Sequence, residues 1–243
     1  MLVGEVGTGK TTLLRRALDS FTPGRVHTSF LFNPRLDVLD FLEFVLADFG
    51  IAPTPGLPAR TKAAMLIERN RCLIERFRQQ ETCVIVVDEA QNLSADLLEE
   101  IRLLTNLETS TEKLLQIVLS GQPEFEDKLR RPELRQLRQR VSLWCLLHPL
   151  AAGQTGEYIA QRLLIAGTAN TIFTPEAVQL IHRASRGIPR VINLICEHAL
   201  IVGYADQLRR IGPDIIQSVA AELELEPQVP AADAPPEREE ART

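Results

Sequence analysis

Residues 1–12 read MLVGEVGTGKTT. Gly4, Gly9, Lys10 and Thr11 satisfy G-x-x-x-x-G-K-[ST], the spacing of a phosphate-cradling loop set between a buried β-strand and an α-helix. That chemistry needs these residue types. Glycines let backbone N–H groups turn inward, so the amides of Glu5, Val6, Gly7, Thr8, Gly9, Lys10, Thr11 and Thr12 would line the phosphates. Lys10 would reach the β- and γ-phosphates, and the Thr11 hydroxyl would bind Mg²⁺. Only Met1, Leu2 and Val3 come before the loop. The first strand is therefore expected to be truncated, with its neighbours left partly unpaired and the coding sequence continuing upstream. A glycine turn ahead of an amphipathic helix is the plain alternative.

A second motif lies about 78 residues on. In VIVVDEAQ (residues 84–91) a β-branched run ends in Asp88 and Glu89, as a Walker B strand requires: a buried parallel strand that delivers carboxylates at its C-terminal edge. Asp88 would hold Mg²⁺ through water, and Glu89 is placed to polarise an attacking water. In isolation such a pair is also an ordinary solvated strand end. The apolar run 115–119 ends in Ser120-Gly121-Gln122, where Gln122 either orients the lytic water or is part of a simple turn. Asn33 either hydrogen-bonds Glu89 when nucleotide is absent or makes a turn before Pro34. Lys128, Arg130, Arg131, Arg135, Arg138 and Arg140 put six bases in thirteen residues. They read as a solvated face, a subunit interface or a polyanion site. Arg190 follows Gly187-Ile188-Pro189 at a helix start, from which a guanidinium could meet a phosphate oxygen.

The 243 residues are 45% hydrophobic and 24% charged, enough for one large domain or two small ones. The net charge of −5 is a property of the tail. Residues 222–243 hold seven acids against Arg238 and Arg242, and setting those nine aside from 32 acids and 27 bases leaves 25 of each. A neutral body gives no global case for nucleic acid or an anionic membrane. Cys72, Cys83, Cys145 and Cys196 show no metal-ligand rhythm and read as buried thiols in a reducing compartment. With no apolar stretch of membrane-spanning length and no signal-peptide layout, the expected location is the cytoplasm.

Apolar runs alternate with helical patterns as far as about residue 150, which predicts a parallel sheet covered by helices. Strands are expected at 26–32, 83–87, 114–119 and 141–147, and helices at about 10–19, 37–49, 59–79, 94–107 and 123–138. Asp37 and Ser94 read as N-caps and Gly50 as a stop. From 153 onward only helices are expected, at 153–166, 174–185, 188–204 and 212–222. Thr174-Pro175 marks one start. Residues 225–243 are too rich in Pro, Ala and charge to bury themselves and are expected to be disordered.

Taken in order, GEVGTGKTTLLR, VIVVDEAQNLS, RLLTNLET, LLQIVLSGQPEF, LRQLRQRV and GIPRVINLICEHAL resemble the AAA+ ATPases, and more closely the branch that includes general secretion pathway protein A (ExeA) and ATPases of exosortase and exopolysaccharide systems. The resemblance runs to about residue 226. It implies an α/β P-loop NTPase core over 1–150 with sheet order 5-1-4-3-2, and an all-helical lid over 151–224. By position it makes Lys10 and Thr11 Walker A, Asp88 and Glu89 Walker B, Gln122 sensor 1, Arg140 an arginine finger and Arg190 sensor 2. It also implies ATP and Mg²⁺, a homo-oligomeric ring such as a hexamer, and a cytoplasmic protein that can sit peripherally at the inner membrane through partners. Members of this branch usually begin some forty residues earlier.

Three functions remain open at the level of sequence. One is an ATPase that drives assembly or remodelling of a secretion or exopolysaccharide export system. Another is an ATP-dependent DNA-binding regulator resembling the transposition ATPases, supported by the 128–140 bases and opposed by the neutral body. The third is a truncated, non-hydrolysing interaction module.

Overall fold

The computed structural model describes residues 1–22, 24–32, 35–51, 61–107 and 113–225. The chain divides into two compact units, Met1–His148 and Pro149–Thr243.

In the first unit, five parallel strands form one sheet: β1 (Leu2–Gly4), β2 (Val26–Leu31), β3 (Thr82–Val87), β4 (Leu115–Gly121) and β5 (Cys145–Leu147). Their order is β2-β3-β4-β1-β5, which is the expected 5-1-4-3-2 read from the other edge. β3 is buried on both faces. Cys83, Ile85 and Val87 join one apolar cluster while Val84 and Val86 join another with Leu2 and Leu14, which explains why this central strand reads as an unbroken apolar run.

β1 is three residues long yet lies between two neighbours. Leu2, Val3 and Gly4 pair with Cys145, Leu146 and Leu147 of β5. On the other side β1 reaches only Ser120 and Gly121 of β4, so the register of Leu115–Leu119 is with β3 alone. Pairing is thus kept at the C-terminal end of the sheet, next to the glycine loop, and is missing towards the N-terminal end. Gly4 is required there by proximity. A Cβ on it would lie 2.7 Å from the Leu147 carbonyl oxygen and 3.0 Å from Thr8 Oγ1.

The covering helices start where their caps allow. These are α1 (Lys10–Asp19), α2 (Val38–Asp48), α3 (Lys62–Arg78) and α4 (Ala95–Leu104). Asp37 Oδ1 accepts the Asp40 N–H at 2.8 Å and Ser94 Oγ accepts the Leu97 N–H at 3.2 Å, each satisfying one orphan donor of a first turn. Gly50, at φ 82°, ends α2, where Ile51 N–H returns to Leu46 O at 2.8 Å, a left-handed stop that glycine adopts freely. The α2 face of Phe41, Leu42, Val45 and Leu46 and the α4 face of Leu97, Leu98, Ile101 and Leu104 are buried in the same core. Burial of each such side chain contributes about 1.5–3 kcal/mol.

Three expectations are corrected. The basic segment is not one helix over 123–138. It breaks into α5 (Pro123–Leu129), a single 3-10 turn at Pro132–Leu134 and α6 (Arg135–Arg140), because Pro132 has no N–H to continue the α5 ladder. The last strand is Cys145–Leu147 rather than 141–147, since β1 offers it only three residues to pair with. Finally, the cysteines are not all buried: Cys83 is, Cys72 and Cys196 are half-buried, and Cys145 is exposed because edge strand β5 leaves Leu143, Cys145 and Leu146 outward-facing.

The second unit is helical: α7 (Ala152–Ile165), α8 (Pro175–Ser185), α9 (Pro189–Ala205) and α10 (Pro213–Glu222). Its own core contains Ile159, Phe173, Ile181, Ile192, Ile195, Ile211 and Ile216. Thr174 Oγ1 accepts the Ala177 N–H at 3.2 Å, with Pro175 opening α8. α8 ends in Arg186 (φ 53°) and Gly187 (φ 72°), two consecutive left-handed residues that turn the chain into α9. The expected tail, from residue 226 on, lies outside the described residues.

Candidate active site

The C-terminal ends of β1, β3 and β4 meet the N-terminus of α1, which is where open parallel sheets place their ligands. The glycine loop joins β1 to α1. Gly7 and Gly9 have φ 84° and 98°, left-handed values that glycine takes without Cβ strain, and Gly9 is the N-cap of α1. Thr8 Oγ1 donates to Glu5 O at 2.8 Å, fixing the loop's shape.

Lys10 is 6% exposed, and its ammonium donates to Gly4 O at 2.7 Å and Glu5 O at 2.9 Å. Burial lowers the Lys10 pKa, opposed by the charges of Glu89, Asp88 and Glu124. A lysine whose hydrogen-bond partners among the described residues are neutral loop carbonyls can transfer to a phosphate oxygen without breaking an ion pair.

Thr11, one residue on, donates its hydroxyl to Asp88 Oδ2 in a short hydrogen bond. The other Asp88 oxygen accepts from Ser120 Oγ at 2.8 Å and from the Glu89 N–H at 3.0 Å. Asp88 is 3% and Ser120 0% exposed, so this carboxylate is held at both oxygens by β4 and α1. Glu89 takes the left-handed conformation, φ 52° and ψ 41°, a strain of about 1–3 kcal/mol for a residue with a Cβ. Its Oε2 accepts from Gln122 Nε2 at 3.0 Å and from Gln91 Nε2 at 2.5 Å.

Lys10, Thr11, Asp88, Glu89 and Gln122 therefore come together. Ser120 and Gln91, to which the sequence reading gave no role, join them. Ser120 stands two residues ahead of Gln122 on the same strand end, and its buried hydroxyl becomes visible only when β3 and β4 are paired in register. Asn33 lies outside the described residues. Arg140 is the exposed last residue of α6, and Arg190 the exposed second residue of α9 in the helical unit.

Within the basic run the residues separate. Lys128 turns inward, its ammonium donating to Gln91 O at 3.0 Å and Leu93 O at 2.5 Å, and Arg130 pairs with Glu126 and Asp127. Arg131, Arg135, Arg138 and Arg140 are exposed.

The oxygen donors suit a hard cation. Among the described residues no three His, Cys, Asp or Glu side chains form a metal cluster. One hydroxyl and one carboxylate, Thr11 and Asp88, fit Mg²⁺, which keeps waters and takes phosphate oxygens rather than an all-protein cage.

Loop, sheet order and carboxylate pair define a P-loop nucleotide-binding protein of the AAA class. Residues 1–129 match the family described as AAA domain, and the chain belongs to that family. It is similar to general secretion pathway protein A of Aeromonas hydrophila, with 42% identity over 223 residues, which cover 92% of this chain and 40% of that protein; the chain thus spans well under half the length of this relative. Among solved structures it resembles Cdc6p from Pyrobaculum aerophilum (TM-score 0.70, 19% identity, covering 91% of this chain and 59% of that one). It also resembles the Thermotoga maritima RuvB Holliday junction branch migration motor (TM-score 0.61, 17% identity, 93% and 61%). At those identities the likeness is one of fold. Among the described residues no helix is long and apolar enough to cross a membrane.

Proposed function

We propose that this chain binds and hydrolyses ATP and couples the hydrolysis to assembly or remodelling of a secretion or envelope export machinery. The observation that carries the enzymatic half is the pairing of Thr11 with Asp88 beside Glu89, together with a buried lysine that bonds, among the described residues, to loop carbonyls.

The loop amides from Glu5 to Thr12 and the Lys10 ammonium bind the phosphates, with Lys10 leaving Gly4 O and Glu5 O for the β- and γ-oxygens. Thr11 and Asp88 would hold Mg²⁺, which would supply charge neutralisation at the phosphate oxygens. Ser120 and the Glu89 N–H keep Asp88 oriented. Glu89 accepts the proton of the attacking water and Gln122 orients that water. Arg190 acts from the helical unit as a lid residue on the γ-phosphate, and Arg140 acts on the nucleotide of a neighbouring subunit in a homo-oligomeric ring. The export half rests on the similarity to a general secretion pathway protein. With it goes a cytoplasmic location, peripheral to the inner membrane through protein partners.

The test is Glu89→Gln. It should retain nucleotide binding while hydrolysis falls by about 10² or more, the usual contribution of a general base. Equal turnover in wild type and variant would remove Glu89 from the mechanism. An alternative, ATP-dependent DNA binding, is favoured by the exposed Arg131, Arg135 and Arg138. It requires salt-sensitive retention of duplex DNA that is lost when these three are changed to alanine.

A further inference from the structure

In the helical unit, α9 carries apolar side chains on two sides and is covered on one. Ile192, Ile195, Ala199 and Gly203 are buried in the core of that unit. On the other side Ile201 is 62% and Tyr204 88% exposed, although a helix with a second apolar stripe is stable in water only when something covers it. Between that side and α7 runs a groove of about 630 Å³. Its floor is apolar, made by Ile159 and Leu163 of α7, Leu200 of α9 and Phe173 from the segment before α8.

Polar side chains shape the rest of it. Tyr158 Oη donates to Asn193 Oδ1 at 3.1 Å and ties α7 to α9 at one end. Ala166, just past α7, and Tyr204 line the other end. Arg162 stands on the α7 wall and Glu197 on the α9 wall. Both are exposed, and among the described residues neither has an ion-pair partner. From Ile192 to Tyr204 the α9 wall is about 18 Å long at 1.5 Å per residue, a little over three helical turns.

We propose that this groove docks one amphipathic helix of a partner protein. Large apolar side chains of the partner at i, i+3 or i+4, and i+7 lie on the floor, a spacing that three turns of wall accommodate. An acidic residue on one flank meets Arg162 and a basic residue on the other meets Glu197. The two unpaired charges of opposite sign select a polypeptide: an acyl chain with an anionic head would satisfy Arg162 but set its charge against Glu197, and a neutral apolar ligand would use neither. Tyr204 and Ile201 are the anchors on this side, large side chains beside a preformed pocket, where interface energy concentrates. α9 also carries Arg190 in its first turn, so the groove and the lid residue share one helix, but docking itself does not depend on hydrolysis.

The test is selection against the whole nucleotide-free chain. A displayed library of helices of about 20 residues, long enough to be helical on their own, is apolar on one face and randomised on both flanks. Selected sequences are then measured as fluorescein-labelled peptides by anisotropy. They should carry an acid on one flank and a base on the other. Tyr204→Ala and Ile201→Ser should each weaken binding about tenfold or more, with melting temperatures close to wild type because both side chains are exposed. Arg162→Glu should weaken the same peptides about fivefold, the upper weight of an exposed ion pair, and changing the peptide's acid to lysine should recover the loss.

The proposal is overturned if no helix is enriched, if the selected flanks show no charge preference, or if the peptides bind the Tyr204→Ala variant as tightly as wild type. It also falls if the chain sediments with phosphatidylglycerol vesicles and Tyr204→Ala releases it, which makes this a lipid face. An assembly of the chain that dissociates on the same substitution, seen by sedimentation velocity, makes it a contact between copies and overturns the proposal equally.

Discussion

Lys10 is buried, and that confinement makes its substitution informative. Among the described residues the ammonium is bonded to Gly4 O and Glu5 O, so Lys10→Ala removes a phosphate ligand without leaving a carboxylate among them unpaired. Affinity for a fluorescent ATP analogue should fall to undetectable levels while the melting temperature stays close to that of wild type. Retained affinity would count against the phosphate reading of the loop. The thiols give a second residue-scale outcome. Burial pushes Cys83 and Cys196 up to about 12, so both stay protonated at pH 8, whereas Cys145 is exposed on β5. Iodoacetamide at pH 8 should label Cys145 in the folded chain and reach Cys83 and Cys196 only after denaturation, as peptide mass mapping would show. At this scale the sequence exposed the loop residues and both carboxylates, because each chemistry is written in adjacent positions. It did not expose Gln91 or Ser120. Their roles depend on β3 and β4 lying side by side, which brings together residues some thirty positions apart.

Secondary-structure elements were legible where a cap and a periodic face coincide. α1 was expected at 10–19 and is found there, while α2, α4 and α8 start at Asp37, Ser94 and Thr174 as their capping side chains require. Ends set by partners were not legible. β5 is short because β1 is; the break of the basic helix at Pro132, by contrast, is a stop that the sequence does carry. The turn from α8 to α9 shows what such a junction demands. Gly187 has φ 72°, and a Cβ there would lie 2.0 Å from Leu150 O, while its own carbonyl accepts the Leu150 N–H at 2.8 Å. Gly187→Ala must move backbone on two segments and adopt a strained φ, so it should destabilise the helical unit by about 2 kcal/mol or more. Urea unfolding followed by circular dichroism would measure it; a loss below about 0.5 kcal/mol, the scale of an ordinary surface change, would mean that the turn relaxes freely. Arg190 sits in the first turn after this junction, so the same variant should also weaken any nucleotide contact made from α9.

For the molecule as a whole, the question is whether one chain is a complete enzyme. The body carries balanced charge once residues 222–243 are set aside, yet α6 ends in an exposed Arg140 with no acid in the segment Arg135–Arg140 to neutralise it. An arginine that completes a neighbour's site supplies positive charge at the γ-phosphate only on assembly, and such residues are worth about 10³ or more in rate in well-studied nucleotide hydrolases. Hydrolysis per chain should therefore rise steeply with protein concentration, and Arg140→Ala should flatten the rise without changing nucleotide affinity. Mixing Arg140→Ala with Lys10→Ala separates a shared site from a private one. Neither variant is active alone, but a mixed assembly sets an intact Arg140 on a Lys10→Ala chain against the intact phosphate loop of an Arg140→Ala chain, and partial activity should return. If the mixture stays as inactive as its parts while light scattering shows both variants assembling, Arg140 acts within its own chain or not at all. The role would then pass to Arg138 or Arg135, the other exposed guanidinium groups of α6.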